Sequence, residues 1–198
     1  MVDEQARRVG VEALKALAHP LRVRIFSELT SYGPATASAL AGRLGESSGS
    51  TSYHLRQLEK HGYVREDADR GNGRDRWWKA ARRSTFTGPP PEGDAESAAL
   101  HDDYAAAVLA IYSDRAQGWL SAQHAWPREW QNAGTFSDAV LRLTADETAR
   151  LTRDIATLLA GYRRHDPADS PAEVPDGSRI VSAQFLVFPD PDQAPPAR

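Results

Sequence analysis

The stretch Ser47–Gly62, SSGSTSYHLRQLEKHG, decides the fold of this chain. Ser47 or Ser48 can cap the start of a helix, because a serine oxygen accepts a hydrogen bond from an unpaired N–H of the first turn. Gly62 is suited to end that helix. At about 100° per residue, three side chains fall on one side and are expected to face a core: Thr51, Leu55 and Leu58.

The opposite side of this helix is small, hydroxylic and basic. It carries Gly49, Tyr53, Arg56, Gln57 and Lys60, and it is flanked by Ser50 and Ser52. No carboxylate lies near its N-terminal half. A face of this kind can enter a major groove and meet base edges. The alternative is an ordinary amphipathic helix with a solvated outer face.

The residues before this stretch predict three further helices. Residues 4–18 have apolar residues at helical spacing, and Pro20 suits the first turn of a second helix that ends near Ser31-Tyr32-Gly33-Pro34. Thr36 is a candidate N-cap for a short third helix, and Gly45 follows it where a tight turn needs positive φ. Two short helices joined by a few residues that include glycine are typical of a helix-turn-helix.

The residues after Gly62 predict a β-hairpin. Tyr63–Glu66 and Arg76–Ala80 have the composition of strands, and Asn72-Gly73 between them is a strong hairpin turn signal. Arginines stand in and beside the loop. Four helices followed by a basic hairpin are the element order of a winged helix-turn-helix.

Residues 11–83 resemble the ArsR-like bacterial transcriptional regulators. Several matching stretches carry the resemblance together, and none carries it alone: Leu14–Arg22, Gly33–Thr36, Leu40–Gly45, Ser50–Leu55, Leu58–Val64 and the arginine- and glycine-rich hairpin. The resemblance implies a homodimer that binds double-stranded operator DNA with inverted repeats and usually represses.

Metal sensors of the ArsR-like family carry cysteines on the third helix. This chain has Ala37, Ser38, Ala39, Ala41 and Gly42 there, and it contains no cysteine at all. Metal sensing by that route is therefore excluded, as are disulfides and thiolate sites.

Charge is divided unevenly along the 198 residues, whose net charge is -3. Residues 1–83 hold 15 Lys and Arg against 10 Asp and Glu, whereas residues 84–198 hold 9 against 17. A basic half beside an acidic half favours a DNA-binding module joined to a part that avoids DNA. We expect a DNA-binding domain over residues 1–88, a dimerisation and possible effector region over 94–190, and a disordered tail over 191–198.

The C-terminal region is predicted to contain one long helix and a strand-helix-strand unit. A proline-rich linker covers residues 84–93, and residues 94–126 keep an apolar seam over several turns, which we interpret as a dimerisation helix rather than a helix packed only within its own subunit. Ala139–Thr144 and Arg179–Phe188 have the composition of strands, the second buried on both faces. Between them, a capping box at Thr144 opens a helix. The predicted fold class is therefore α+β.

The candidate DNA-binding residues lie on three elements. They are Ser48, Ser50, Ser52, Tyr53, Arg56, Gln57 and Lys60 on the recognition helix, Thr36 and Arg43 on the helix before it, and Arg70, Arg74 and Arg76 on the wing. Arginine can bond bidentately to guanine, and wing arginines are suited to phosphates or the minor groove. His54 is expected to be structural, inside the helix-turn-helix.

Other chemistries find little support in the sequence. The histidines and acids His101, Asp102, Asp103, His124 and His165 have no metal-site spacing, so we expect no metal, no cofactor and no catalytic site. Tyr104, Tyr112, Trp119, Trp126 and Trp130 could line an effector pocket, but aromatics at helical spacing are more often core.

Two alternatives to a constitutive regulator stay open. One is a sensor that binds a small aromatic or acyl effector in the C-terminal region, and the other is a winged-helix protein–protein interaction module. The polar N-terminus resembles no signal peptide and no apolar run is long enough to span a membrane, so we expect a cytoplasmic protein with no membrane partner.

Overall fold

A computed structural model describes residues 11–70, 75–82, 94–169 and 173–193. The chain divides into two compact units. The winged-helix unit contains the described residues up to Arg115, together with residues 165–169 and 173–178. The C-terminal unit contains residues 116–164 and 179–193.

The winged-helix unit has the predicted order of elements. Its helices and strands are α1 (Val11–Leu17), α2 (Pro20–Tyr32), β1 (Ala35–Thr36), α3 (Ala37–Leu44), α4 (Ser48–Lys60), β2 (Val64–Glu66), β3 (Trp77–Ala80) and α5 (Ala95–Ala122). Residues 4–10 of the predicted first helix, the Asn72-Gly73 turn and the 84–93 linker lie outside the described residues.

Local capping explains where the helices start. The Thr36 hydroxyl accepts a hydrogen bond from the Ala39 N–H at 3.1 Å, and the Ser47 hydroxyl accepts one from the Ser50 N–H at 3.1 Å. The predicted N-cap of α3 is thus confirmed, and Ser47 rather than Ser48 caps α4. Gly45 has φ +70° directly after α3, a backbone region that side chains with a Cβ rarely adopt.

A three-stranded antiparallel sheet closes the wing side of this unit, with strand order β1-β3-β2. The strand β1 has only two residues, Ala35 and Thr36, which pair with Trp78 and Trp77, and the sequence pattern did not predict it. Tyr63, just before β2, is fully buried and meets the Phe26 ring edge to face at 5.4 Å between centroids. The sheet is thereby joined to the helical core, which α4 completes with Leu55 and Leu58.

The long helix α5 packs against its own subunit. Tyr104, Val108 and Ile111 lie against the winged-helix core. The Arg115 guanidinium donates hydrogen bonds to the hydroxyls of Ser27 at 2.8 Å and Ser31 at 2.9 Å on α2. The N-terminal half of the seam is therefore occupied within the monomer. The helix also ends at Ala122, before a short turn at Gln123–Ala125, rather than at residue 126.

The C-terminal unit contains α6 (Arg128–Ala133) and α7 (Ala145–Ala160). The capping box at the start of α7 is confirmed, since Thr144 and Glu147 exchange both of its hydrogen bonds. The predicted strands Ala139–Thr144 and Arg179–Phe188 are wrong: neither segment forms a strand, and Val140 and Val181 are 89% and 69% exposed. Strand composition alone does not make a strand, because a ladder also needs a partner with free backbone groups.

The structure describes only part of the chain's C-terminal end. Residues 194–198 of the predicted tail lie outside the described residues, as do residues 170–172 of the loop after α7. No described helix is both long enough and apolar enough to cross a bilayer.

His54 on α4 is packed inside the winged-helix unit and is only 9% exposed. Its ring lies 4.3 Å from the His19 ring, centroid to centroid, and its Nδ1 has no hydrogen-bond partner among the described residues. Burial lowers the pKa of His54 below 6.5, the positive charges at His19 and Arg22 lower it further, and Glu46 raises it in part. The folded protein therefore favours neutral His54.

We expect stability to fall as pH drops through the ordinary histidine pKa. A histidine whose pKa is lowered by folding stabilises the fold fully above the unfolded-state pKa, and this contribution is lost as pH falls towards the folded-state value. Thermal unfolding midpoints should therefore decrease between about pH 7.5 and about pH 5. The decrease should be smaller in His54→Gln.

The control is His61→Gln, at the half-exposed C-cap of the same helix. It should show the same pH-dependent decrease as the unaltered chain. Equal decreases in all three proteins would show that His54 does not couple protonation to folding.

Candidate nucleic-acid interface

The outer face of α4 is open to solvent. Ser48, Gly49, Arg56 and Lys60 are exposed and Tyr53 is 57% exposed, while Ser50, Ser52 and Gln57 are half-buried. The inner residues Thr51, His54, Leu55 and Leu58 are buried. The division of faces predicted from helical spacing is confirmed.

The dimensions and charge of α4 suit a groove of DNA. Its 13 residues span about 20 Å at 1.5 Å per residue. No carboxylate lies between Ser48 and Leu58, so nothing acidic on that stretch opposes approach to phosphates. The unpaired N–H groups of its first turn also give this end a partial positive charge.

Arg56 is the cation on this face that the described chain leaves unengaged. No hydrogen bond or ion pair joins its guanidinium to any other described residue. Its planar fork of donors is thus available for a bidentate acceptor such as O6 and N7 of guanine. Tyr53, by contrast, is held in place because its ring meets His54 edge to face at 5.2 Å.

The two candidates on α3 are already engaged within the protein. The Thr36 hydroxyl caps α3, as described above. Arg43 lies 3.6 Å from the Glu28 carboxylate on α2, with its side chain about half exposed. A surface pair of this kind is worth about 0–1 kcal/mol, so a phosphate could still recruit Arg43.

Sequence reasoning missed Arg24, which holds α3 and α4 in place. Its guanidinium donates to the Leu44 carbonyl at 3.1 Å and lies 3.9 Å from the Glu46 carboxylate. Both partners lie at the end of α3 and in the turn before α4. The available signal was a charged residue on a helix that otherwise faces the core, but spacing alone could not name its partners.

The base of the wing is organised by a buried carboxylate. Asp67 is 5% exposed and forms an ion pair with Lys79 on β3, and its second oxygen lies 3.4 Å from Arg70. Arg76 lies 3.2 Å from Glu66 and stacks over the Trp78 ring at 5.7 Å. Arg70 and Arg76 are therefore oriented by the protein, whereas Arg74 lies outside the described residues.

The remaining candidate residues are not brought into one site. His165 bonds to the Ser31 carbonyl at 2.8 Å, and His101 lies 3.8 Å from Asp102. No group of three or more potential metal ligands occurs among the described residues. Trp119, Trp126 and Trp130 contact one another edge to face, whereas Tyr104 packs on the winged-helix core, so these aromatics do not line one common pocket.

Comparison with known proteins supports the helix-turn-helix assignment. A family model described as a helix-turn-helix domain matches residues 17–66, from the end of α1 to the end of β2. No curated protein matches the chain.

Three similar solved structures are of bacterial proteins. The YusO protein from Bacillus subtilis is 14% identical, with 76% of this chain and 81% of that chain covered and a TM-score of 0.33. A ZitR variant from Lactococcus lactis is 12% identical, with 73% and 75% covered and a TM-score of 0.31. The transcriptional regulator Tm0710 from Thermotoga maritima is 11% identical, with 76% and 90% covered and a TM-score of 0.28.

The family match and the observed elements agree on the same part of the chain. The matched residues contain α2, α3, α4 and β2, and α4 presents its polar face outward. Residues 17–66 therefore form a helix-turn-helix domain, to which the three-stranded sheet adds a wing.

Proposed function

We propose that this chain is a sequence-specific DNA-binding transcriptional regulator that acts as a homodimer on an inverted-repeat operator, most simply as a repressor. The observation that carries the proposal is the exposed, carboxylate-free face of α4 with the unengaged Arg56. The resemblance of residues 11–83 to ArsR-like regulators supports the finer assignment.

In the proposed complex α4 lies in the major groove. Arg56, Gln57 and Tyr53 then face base edges, and the serines of the first turn lie near the backbone. Thr36 and Arg43 on α3 and the wing arginines contact phosphates on either side. Phosphate contacts fix the register of the protein, while base contacts specify the sequence.

The uneven charge of the chain supports the same arrangement. Residues 1–83 have a net charge of +5 and residues 84–198 have -8, from 15 against 10 and 9 against 17 charged side chains. The basic half is attracted to DNA, while the acidic half is repelled and stays clear of it. We place this activity in the cytoplasm.

Arg56→Ala should cost roughly 1–3 kcal/mol of binding free energy on the operator and flatten base preference at one position per half-site. The reason is the removal of a bidentate bond to guanine. The measurement is binding to the operator and to its single-base variants, after selection of the operator from random duplex DNA.

Arg56→Lys is the matched control because it keeps the charge but not the planar fork. It should retain most of the salt-dependent affinity and still lose discrimination. If Arg56→Ala keeps full discrimination, Arg56 is not a base reader. If selection enriches no sequence and the protein retains no salt-sensitive affinity for DNA, the winged helix is an interaction module instead.

Arg76→Ala and Arg74→Ala should weaken binding to all sequences by similar factors, since phosphate contacts carry no base information. Each should reduce the salt dependence of binding by about one unit of slope for every phosphate that the variant no longer neutralises, counted over both subunits. Titrations at two salt concentrations measure this. A loss of discrimination in either variant would make the wing the reader.

A further inference from the structure

The C-terminal unit has no core of its own. None of its described residues, 116–164 and 179–193, is buried. Every buried residue of the described chain lies in the winged-helix unit, the last of them being Ala107. The C-terminal unit nevertheless contains a capped helix and two apolar extended segments.

These segments expose large apolar side chains. Phe136, Val140, Leu141, Val181, Leu186 and Phe188, each 55–89% exposed, are named here the C-terminal apolar surface. With Leu158 and Tyr162 on α7 and just after it, which are equally exposed, they present on the order of 1,000 Å² of apolar area. Monomeric proteins rarely leave so much exposed.

The backbone of the two segments is also unpaired. Among the described residues, no backbone hydrogen bond joins residues 135–143 or 180–188 to any other segment. Extended segments with free N–H and C=O groups are templates for pairing with another chain. The same two segments thus combine free backbone with exposed apolar side chains.

The size and charge of this surface identify the partner. A standard protein interface buries about 800 Å² on each side, which the exposed area matches and a small ligand could not cover. The described C-terminal unit holds seven arginines and seven carboxylates, a net charge of zero. Two copies of it therefore meet without net repulsion, and a surface of this kind can complement itself about a two-fold axis.

We propose that residues 135–143 and 180–188 form the interface between two copies of this chain, with extended segments of the two copies pairing and covering the C-terminal apolar surface. This inference rests on the proposed function, which requires a homodimer. It places the interface away from the N-terminal half of α5, where Tyr104, Val108 and Arg115 contact the same subunit.

The test is sedimentation of the full chain and of single variants over a range of concentrations. Val140→Lys and Val181→Lys put a charge on the C-terminal apolar surface and should weaken dimerisation at least about tenfold, since buried unpaired charge is costly. Leu109→Lys is the matched control, because Leu109 is an exposed leucine on α5 outside this surface. It should leave the dimer intact.

Amide hydrogen exchange gives a second readout that does not depend on sedimentation. Residues 135–143 and 180–188 should exchange slowly in the dimer and rapidly in the two weakened variants, with unchanged exchange in α4. Fast exchange in these segments of a wild-type dimer would overturn the inference. So would a monomeric wild-type chain, or a dimer that Leu109→Lys abolishes and the other two variants keep.

The outcome for the proposed function is separable, because neither measurement contains DNA. A dimer weakened as described that selects no DNA sequence would refute the function and leave the interface standing. Selection of an operator by a chain that stays monomeric would do the reverse.

Discussion

The burial of one side of α4 is the constraint on which the rest of the winged-helix unit depends. Thr51, Leu55 and Leu58 are fully buried, and His54 nearly so. Burying a leucine side chain contributes about 1.5–3 kcal/mol, so α4 cannot rotate without exposing apolar area. Because its inner side is fixed in this way, Arg56 on the other side is held toward solvent.

Contacts at both ends of α4 keep its axis in place. Ser47 caps its start, and Arg24 ties the preceding turn to α2 through the Leu44 carbonyl and the Glu46 carboxylate. After its end, Gly62 adopts φ +70° and leads the chain into buried Tyr63. The recognition surface is thus positioned by residues that need not touch DNA themselves.

The accuracy of the sequence predictions depends on how local each signal is. The caps at Thr36 and Ser47 and the capping box at Thr144 involve residues three apart, and all were predicted from the sequence. The faces of α4 followed from helical spacing in the same way. Most of the winged helix and the exposure of its candidate residues could therefore be predicted.

The failures all concern partners distant in sequence. The two-residue strand β1 exists because Trp78 lies beside Ala35, and the seam of α5 was assigned to a second subunit although Tyr104 packs on its own core. Residues 139–144 have strand composition but no partner in the monomer. Composition specifies what a segment can bury but not against what, so these assignments were beyond a single sequence.

Arginine placement shows how affinity and specificity can be separated within one domain. Arg70 and Arg76 on the wing and Arg43 on α3 each lie within 3.6 Å of a carboxylate. Such exposed pairs are weak, so these cations are oriented in advance yet can exchange a carboxylate for a phosphate at small cost. Arg56 has no such pair among the described residues, and its energy of interaction is set by whichever base it meets. A contact that gives nothing until the correct acceptor is present is the kind that discriminates between sequences.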